Sequence, residues 1–433
     1  MATDITKIKP QLQVQDENVP LTRRDAIDFV GAGVTATDGG DRTIVTIPGG
    51  GGGGATGIWG IADATGVYTF YSTIALANAA ASAGDTIVLF TNVTETGAVT
   101  WNLVDGVNIN LNGHTYTLDN ATGIAGVSDN AVAIECKISN GRIIRLNNVS
   151  PAFLLLNASS NIILDNVYIE NLNGTSANIS GTITGGIFNS IAANNAFYGR
   201  NTGVINNAVI NGGQIIIDGS VFNNCNMYSI NYYVFMSSNS VLNNCNILCD
   251  LSWGILSSGS NSKVNNCVIR SGTRPALATG SLNFFENCYF ESNTENAVTS
   301  NFAYFNNCTM YSLSKNAVQA DRSQFFNCNM YGLANGGFTT FNPGDNKLVN
   351  CNITSLFATK PAAFISQTGT SGQDQFIGCN FKVANSADYC ITSSVSSNVY
   401  LVNNTYNVSA TATNNIVNSQ INTPDSFGNI LVG

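Results

Sequence analysis

Charged residues are scarce in this chain. Asp, Glu, Lys and Arg make up 10% of its 433 residues, and the net charge is −9. Because the balance is acidic and no basic stripe occurs, we expect neither nucleic acid nor anionic lipid as a partner. His114 is the only histidine and no CxxC pair is present. We therefore expect no zinc site, no other metal and no cofactor.

Long apolar runs are missing as well. The sequence contains no apolar run long enough to cross a bilayer, and its first residues lack a basic segment followed by an apolar one. We expect no membrane insertion and no export through a signal peptide.

A short phrase centred on a cysteine, which Asn precedes in seven copies and Gly in one, recurs eight times between Val221 and Phe381. Its cysteines are Cys225, Cys245, Cys267, Cys288, Cys308, Cys328, Cys351 and Cys379. They follow one another at a nearly constant interval, which lengthens only before the last copy. A looser, ninth copy carries Thr405 in the place of the cysteine. A period of this length with strand-forming side chains and no helical pattern predicts a solenoid of coiled β-strands.

The spacing of apolar residues in the phrase predicts a bend in every coil. Counted from the cysteine, positions −3, 0 and +2 are apolar. In a straight strand side chains alternate between the two faces, so positions 0 and +2 share a face and position −3 lies on the opposite one. The chain must therefore bend between positions −3 and 0. Position −1 is Gly378 in one copy and Asn in the rest, and both residues tolerate left-handed backbone angles. We predict a ladder of asparagines at one corner, formed by Asn224, Asn244, Asn266, Asn287, Asn307, Asn327 and Asn350.

Eleven cysteines invite a disulfide or metal interpretation, but their positions favour packing. Eight share the repeated inward slot, and the other three are Cys136, Cys249 and Cys390. A cysteine in such a slot behaves as a small apolar residue. We expect reduced, buried thiols stacked as a second ladder, as in proteins made in a reducing cytosol.

Composition divides the chain into five segments. Residues 1–48 contain two alternating runs around Gly39-Gly40, which predicts a β-hairpin in a small anchoring or oligomerisation module. Residues 49–56 are a glycine-rich linker. Residues 57–99, with a helix near Ala75–Ala81, form an N-terminal cap over the exposed edge of the solenoid. Residues 100–410 are the β-helix, with roughly fourteen coils at about 4.8 Å each. Residues 411–433 form a C-terminal cap or tail.

Two parts of the sequence resemble one group of proteins. The segment from Asp25 to Asp38, with Val45-Thr46-Ile47-Pro48-Gly49 after it, resembles a module of bacteriophage fibre and tail proteins. The Asn-cornered coils resemble the right-handed parallel β-helix of pectin-lyase-like proteins and phage tailspikes. This resemblance implies a homotrimeric virion appendage, made in the host cytoplasm and fixed to another virion protein through residues 1–48. It also implies contact with a host surface glycan or protein.

Candidate catalytic residues are few. Phage β-helix depolymerases use paired carboxylates, but the acidic residues of the predicted solenoid, Glu170 among them, form no column in successive coils. The one close group is Glu286, Glu291 and Glu295, and a solvated edge is the favoured interpretation. Arg270 lies one coil from Glu291, which predicts a surface ion pair. His114 sits at a predicted turn with no acidic neighbour.

Candidate binding residues are aromatic. Outward aromatic side chains in a neutral, Asn-rich surface suit contact with sugar rings or with another protein. The candidates are Tyr228, Tyr232, Tyr233, Trp253, Tyr311 and Tyr331. The alternative is that these residues cover a subunit interface or the edges of coils.

The sequence thus predicts an all-β parallel β-helix that serves as a phage fibre or spike and binds the host surface. Two alternatives stay open, a tailspike depolymerase that cleaves capsule or lipopolysaccharide glycan and a decoration protein of the capsid or tail without a ligand. A purely binding role is favoured over catalysis.

Overall fold

The computed structural model describes most of the chain in two compact units, 1–54 and 55–433. The described residues are 57–96, 102–119, 135–146, 152–155, 158–190, 195–340, 345–357, 360–365, 373–383, 390–393 and 398–407, together with strands 15–16, 19–20, 35–38, 43–46, 417–418 and 430–432. The predicted linker 49–56 and most of the predicted segments 1–48 and 411–433 lie outside them.

The first unit contains two short antiparallel pairs. Gln15–Asp16 pairs with Val19–Pro20, and Thr35–Asp38 pairs with Thr43–Thr46. The strands of the second pair lie on either side of Gly39-Gly40 in the sequence, and those two glycines lie outside the described residues.

The second unit begins with a small antiparallel cap. Trp59–Ala62 pairs antiparallel with Tyr68–Tyr71 on one side and with Thr86–Leu89 on the other. Between them lies the α-helix Ile74–Ala80, whose N-cap Thr73 accepts a hydrogen bond from the Leu76 amide. Ile74 and Ala77 are the helix residues that are buried. Thr86–Leu89 then pairs in parallel with Asn108–Asn110, so the cap leads directly into the coils.

The remaining strands form a right-handed parallel β-solenoid of about twelve turns. The prediction of an all-β chain with parallel coils is confirmed. The strands form a 30-stranded and a 13-stranded sheet. The smaller sheet consists of Phe153–Leu155, Ala177–Ile179, Asn195–Arg200, Gln214–Asp218, Val234–Met236, Ile255–Ser257, Leu277–Thr279, Val298–Asn301, Val318–Asp321, Phe338–Thr340, Ala363–Ile365, Ile391–Ser393 and Val417–Asn418.

In the larger sheet each regular coil contributes one strand on either side of the Asn corner. The early strands are Val93–Glu95, Asn108–Asn110, Thr115–Leu118, Glu135–Arg145, Asn161–Asn171 and Thr182–Ser190. Later strands that precede the corner are Val204–Asn206, Val221–Asn223, Val241–Asn243, Lys263–Asn265, Phe284–Glu286, Tyr304–Asn306, Gln324–Phe326, Lys347–Val349, Gln373–Ile377 and Asn398–Val402.

The strands that follow the corner are Val209–Asn211, Asn226–Ser229, Asn246–Cys249, Val268–Ser271, Tyr289–Ser292, Thr309–Ser312, Asn329–Gly332, Asn352–Ser355, Asn380–Val383 and Thr405–Asn407. The last strand, Ile430–Val432, pairs antiparallel with Asn398–Val402.

One detail of the predicted solenoid is wrong: the final copy of the phrase is shifted by one position. Because Ile377 pairs with Val402 and Asn380 pairs with Thr405, Asn404 and not Thr405 lies beside Cys379.

Candidate functional site

The first corner of most coils is an asparagine in left-handed conformation. The seven predicted asparagines have φ of 53–55° and Gly378 has 62°. Several of their side chains bond to the next coil: Asn244 Nδ2 donates to Asn224 Oδ1 at 3.1 Å, and Asn307 to Asn287 at 2.7 Å. A second row one position earlier, which the sequence analysis missed, adds bonds such as that of 2.8 Å from Asn243 to Asn223.

The cysteine slot lies inside this corner. All eight repeated cysteines are buried, and all eleven cysteines of the chain are free thiols. Their Sγ atoms donate to backbone carbonyls; Cys308 Sγ, for example, lies 3.3 Å from the Asn306 oxygen. Burial raises the pKa of Cys308 well above its ordinary value. All eight thiols are buried among apolar side chains and fill the interior as small packing groups.

A second left-handed corner contains a buried polar row that the sequence analysis missed. Its inward positions are Ser220, Ser240, Ser262, Asn283, Ser323, Asn346 and Asp374, all nearly inaccessible. Members of the row bond from coil to coil, as where the Ser323 amide donates to Asn346 Oδ1 at 3.0 Å and the Asn346 amide donates to Asp374 Oδ1 at 2.9 Å. Buried polar atoms require partners, and neighbouring coils supply them along most of this row, Ser220 Oγ being the exception among its described members.

The face after the Asn corner presents two outward columns, at positions +1 and +3. Along the +3 column, Asn211 pairs with Tyr228, Arg270 pairs with Glu291, and Tyr311 pairs with Tyr331. Strand register therefore stacks these side chains one coil apart along the axis. This face carries the largest share of the predicted binding residues.

The structure divides the six aromatic candidates into three groups. Tyr228 and Tyr232 line one groove of about 470 Å³, which we call the tyrosine groove. Tyr233 and Trp253 form an edge-to-face pair with ring centroids 5.7 Å apart, and the Arg274 guanidinium lies 5.1 Å from the Trp253 ring centroid. Tyr311 and Tyr331 form a tilted pair with centroids 6.4 Å apart.

The tyrosine groove combines aromatic, amide and apolar groups. Its lining includes Asn189, Asn211, Ile230 and Asn231 besides the two tyrosines. The Tyr228 hydroxyl donates to Asp250 Oδ2 at 2.8 Å, and this bond raises the pKa of Tyr228 above its ordinary value. The ring of Tyr228 is thereby held in one orientation at the wall of the groove.

The three candidate carboxylates have different partners. Glu286 precedes the Asn corner and is weakly contacted by Asn306 Nδ2 at 3.5 Å. Glu291 follows the corner, where the predicted ion pair with Arg270 is present at 3.0 Å. Glu295 lies beyond the next strand and its amide donates to Ser292 Oγ at 3.2 Å. In the described structure no hydrogen bond or ion pair joins any two of these three carboxylates.

A second groove lies where the row of corner asparagines is interrupted. It has a volume of about 450 Å³ and is lined by residues of the Asn140, Asn166 and Asn207 corners, with Arg142, Tyr168 and Ile187. We call it the notch. Sequence reasoning passed over it because Glu170, the acid that pairs with Arg142 beside it, has no carboxylate partner. The signal that could have located the notch is Gly185-Gly186, which stands where other coils have the corner asparagine and its neighbour.

Exposed apolar side chains cluster on the strands that precede the Asn corner and on the residues just before those strands. Leu282, Phe284 and Phe302 are 50%, 38% and 42% exposed. Phe284 and Tyr304 have ring centroids 6.0 Å apart, and Tyr304 and Phe326 have centroids 5.1 Å apart. We call these five residues the apolar strip. Phe302 is held at a φ of 56°, a conformation that bulky residues seldom adopt.

The described residues contain no group of three or more His, Cys, Asp or Glu side chains able to hold a metal ion. His114 lies at a turn after Asn112 and Gly113, as predicted, and its amide donates to the Leu111 oxygen at 2.8 Å. In the part of the chain that the structure covers, no helix has the length and apolar character that a membrane crossing requires.

No family model and no curated protein sequence matches this chain. Among solved structures, the chain is similar to the A-module of a mannuronan C-5 epimerase from Azotobacter vinelandii. The identity is 13%, the match covers 77% of this chain and 87% of that module, and the TM-score is 0.24.

Proposed function

We propose that this protein is a fibre or spike of a bacteriophage virion that attaches to a glycan on the host surface. The observation that carries the proposal is the tyrosine groove, where Tyr228 and Tyr232 lie beside amide side chains on a neutral outer face. Aromatic rings contact the apolar faces of sugars, and amides both donate to and accept from hydroxyl groups.

The solenoid suits such a role because it is a stiff support. Each coil bonds to its neighbours through its backbone, through the Asn rows and through the buried polar row. Side chains on neighbouring coils are therefore held at fixed separations. An extended glycan that follows the +3 column would meet the tyrosine groove and then further aromatic groups.

Attachment is favoured over cleavage by the partners of the candidate carboxylates. Glu286, Glu291 and Glu295 face different neighbours, and Glu291 is paired with Arg270. A carboxylate pair for hydrolysis needs two groups about 5–10 Å apart across a bound sugar. The depolymerase and decoration alternatives are separated from attachment by the experiment below.

The experiment incubates the full chain with an immobilised panel of bacterial capsular and lipopolysaccharide glycans. Retention of the protein without new reducing ends supports an attachment fibre. New reducing ends would show a depolymerase, and no retention on any glycan would favour decoration. Both of these outcomes contradict the proposal.

A matched pair of variants tests the groove itself. Tyr232→Ala removes an aromatic wall, so we expect retention to fall by about tenfold or more. Tyr198→Ala removes a half-buried tyrosine ring from the smaller sheet, where its hydroxyl donates to Asp218 Oδ2 at 3.3 Å, and should leave retention unchanged. Equal losses in both variants would show that the groove is not the binding site.

The homotrimer and the attachment of residues 1–48 to another virion protein are part of the same proposal. Three parallel copies would present three tyrosine grooves, and weak sites gain affinity through multivalency. Electron microscopy of the particle labelled through residues 1–48 would test whether the protein is a virion component and would distinguish a head location from a tail location.

A further inference from the structure

The notch exists because one coil has a shorter corner than its neighbours. Strand Thr182–Ser190 pairs with strand Asn161–Asn171. Leu164 pairs with Gly185, and the next pair is Tyr168 with Ile187. The segment from Asp165 to Val167 therefore lies opposite the single residue Gly186. The row of corner amides is interrupted at this point, and a recess remains between Asn166 and Asn207.

Glycine is required at both positions of the short corner. Gly185 and Gly186 have φ of 86° and 88°. A Cβ on Gly185 would collide with the Leu164 carbonyl oxygen, and a Cβ on Gly186 would lie 2.7 Å from Leu164 Cδ1. No side chain can fill the recess from this coil, so the notch is a fixed part of the surface.

One cation is held at the wall of the notch. The Arg142 guanidinium lies 5.0 Å from the centroid of the Tyr168 ring and donates to Glu170 Oε2 at 3.1 Å. Glu170 is only 7% exposed. Asn189 Nδ2 fixes the arrangement from behind, with donations to the Tyr168 hydroxyl at 2.7 Å and to Glu170 Oε1 at 3.3 Å.

This arrangement leaves most of the guanidinium available. Arginine carries five N–H donors, and Glu170 accepts from one nitrogen. The Arg142 side chain is 51% exposed and borders the notch. Because Glu170 and Tyr168 hold the group in place, little side-chain entropy is lost when a second anion binds to it.

The rest of the lining matches a sugar ring. Asn140, Asn166 and Asn207 offer amides that can both donate and accept, and Ile187, 41% exposed, offers an apolar contact. The volume of about 450 Å³ lies within the range of small-ligand sites. A ligand that satisfies all of these groups has hydroxyls, an apolar ring face and one oxyanion.

We propose that the notch binds a sugar that carries an oxyanion, with the oxyanion on Arg142 and the ring against Ile187 and the corner amides. The oxyanion is a carboxylate or a phosphate, since a guanidinium pairs with both. The site shares no lining residue with the tyrosine groove, so it does not depend on the proposed attachment function.

Calorimetric titration of the full chain with glucuronate, glucose 6-phosphate and glucose tests the site. At least one of the two anionic sugars is expected to bind, and glucose about tenfold more weakly or not at all. Which anion binds identifies the source of the oxyanion. Equal binding of all three sugars, or binding of none, overturns the proposal.

A natural control lies on the same face. Arg270 also pairs with a glutamate, Glu291 at 3.0 Å, and lies 5.7 Å from a tyrosine ring centroid, that of Tyr289, but it has a regular corner beside it. Arg142→Gln should weaken binding of the anionic sugar about tenfold, whereas Arg270→Gln should not change it. If both variants had equal effects, or if Arg142→Gln had none, the Arg142–Glu170 ion pair would have no role in sugar binding and the proposal would be wrong.

A third variant keeps the test independent of any loss of folding in the arginine variants. Val209 lines the notch, and Val209→Trp should fill it without a change in charge. Loss of sugar binding with an unchanged circular dichroism spectrum is expected. Retained binding would place the ligand elsewhere and overturn the proposal. Tyr232→Ala should retain sugar binding in the notch, which separates this site from the proposed attachment groove.

Discussion

At the scale of single residues, the left-handed backbone conformation of the corners determines which residue types occupy them. In the described chain, 15 of the 18 non-glycine residues with positive φ are asparagines. For most L-residues the left-handed conformation costs about 1–2 kcal/mol, and asparagine reduces this cost with local hydrogen bonds. The three exceptions, Phe302, Arg322 and Asp345, belong to the second corner, where the Arg322 guanidinium lies 4.4 Å from the Phe302 ring centroid.

Substitution of Asn244 separates the backbone effect from the ladder. Asn244→Ala should lower the free energy of unfolding by about 2 kcal/mol, because alanine must adopt φ near 53° and the bond to Asn224 is lost. Asn244→Gly loses the same bond without the strain and should cost about half as much. Urea denaturation followed by circular dichroism measures both. Asn246→Ala, just beyond the corner in a regular strand, is the control and should lie within about 0.5 kcal/mol of wild type.

Buried thiols predict a loss of stability at alkaline pH. Burial raises the pKa of Cys136 and of Cys249 from 9.0 to about 12. The unfolded chain releases these protons at lower pH than the folded chain does. Stability is therefore complete below pH 9 and decreases as the pH rises toward 12. Cys249→Ala removes one such group, so its melting temperature should fall less steeply between about pH 8.5 and 11 than that of wild type. An identical pH profile would contradict the assignment.

At the scale of elements, the regular coil was predictable and the irregular coil was not. The first corner could be predicted because one phrase carries its asparagine, its inward cysteine and both flanking apolar positions. The second corner could not, because its left-handed position changes from Asn261 to Phe302 to Arg322 and its inward row alternates serine with asparagine. At Asn403-Asn404 two asparagines are adjacent, and the alternation of apolar and polar residues does not show which of them occupies the left-handed corner position.

The candidate sites show the same limit. The sequence predicts outward tyrosines on one face, but the lengths of the turns decide that Tyr232 joins Tyr228 while Tyr233 packs against Trp253. The notch depends on a register shift between two strands, which is a property of pairing and not of either strand alone. Glu170 contributes to the notch because it pairs with Arg142, and Arg142 lies on the preceding coil, far from Glu170 in the sequence.

The capping helix gives a prediction at this scale. Thr73 accepts from the Leu76 amide at 3.3 Å, so Thr73→Ala should destabilise the helix Ile74–Ala80 by about 1 kcal/mol. Amide hydrogen exchange should increase in 74–80 while the central coils remain protected. Ser72→Ala, at the preceding exposed position, should change neither. Uniform exchange across the coils would show that the cap and the solenoid unfold together.

At the scale of the whole molecule, the solenoid has a surface that a monomer would leave partly exposed to water. The apolar strip runs across successive coils, with Leu282, Phe284 and Phe302 between 38% and 50% exposed. Strand register places Phe284 beside Tyr304, so the strip follows the axis. Contiguous apolar surface of this kind marks an interaction site. In parallel copies related by a threefold axis, the strip lies at the same height on every copy, so apolar groups meet apolar groups.

A charge placed in the strip tests the proposed trimer. Phe284→Lys should shift the trimer toward monomer, because three ammonium groups would be brought into one apolar interface and would lose their hydration. Sedimentation velocity at micromolar protein concentration measures the distribution. Leu251→Lys is the control, because it introduces the same charge at a residue that is 56% exposed. The Leu251 amide donates to the oxygen of Ile230, which lines the tyrosine groove, so the residue lies away from the apolar strip. This variant should leave the trimer intact. A monomeric wild-type protein, or equal dissociation in both variants, would contradict the assignment. If Phe284→Lys is monomeric and still folded, its retention on a host glycan should also fall, because three linked grooves release a ligand more slowly than one.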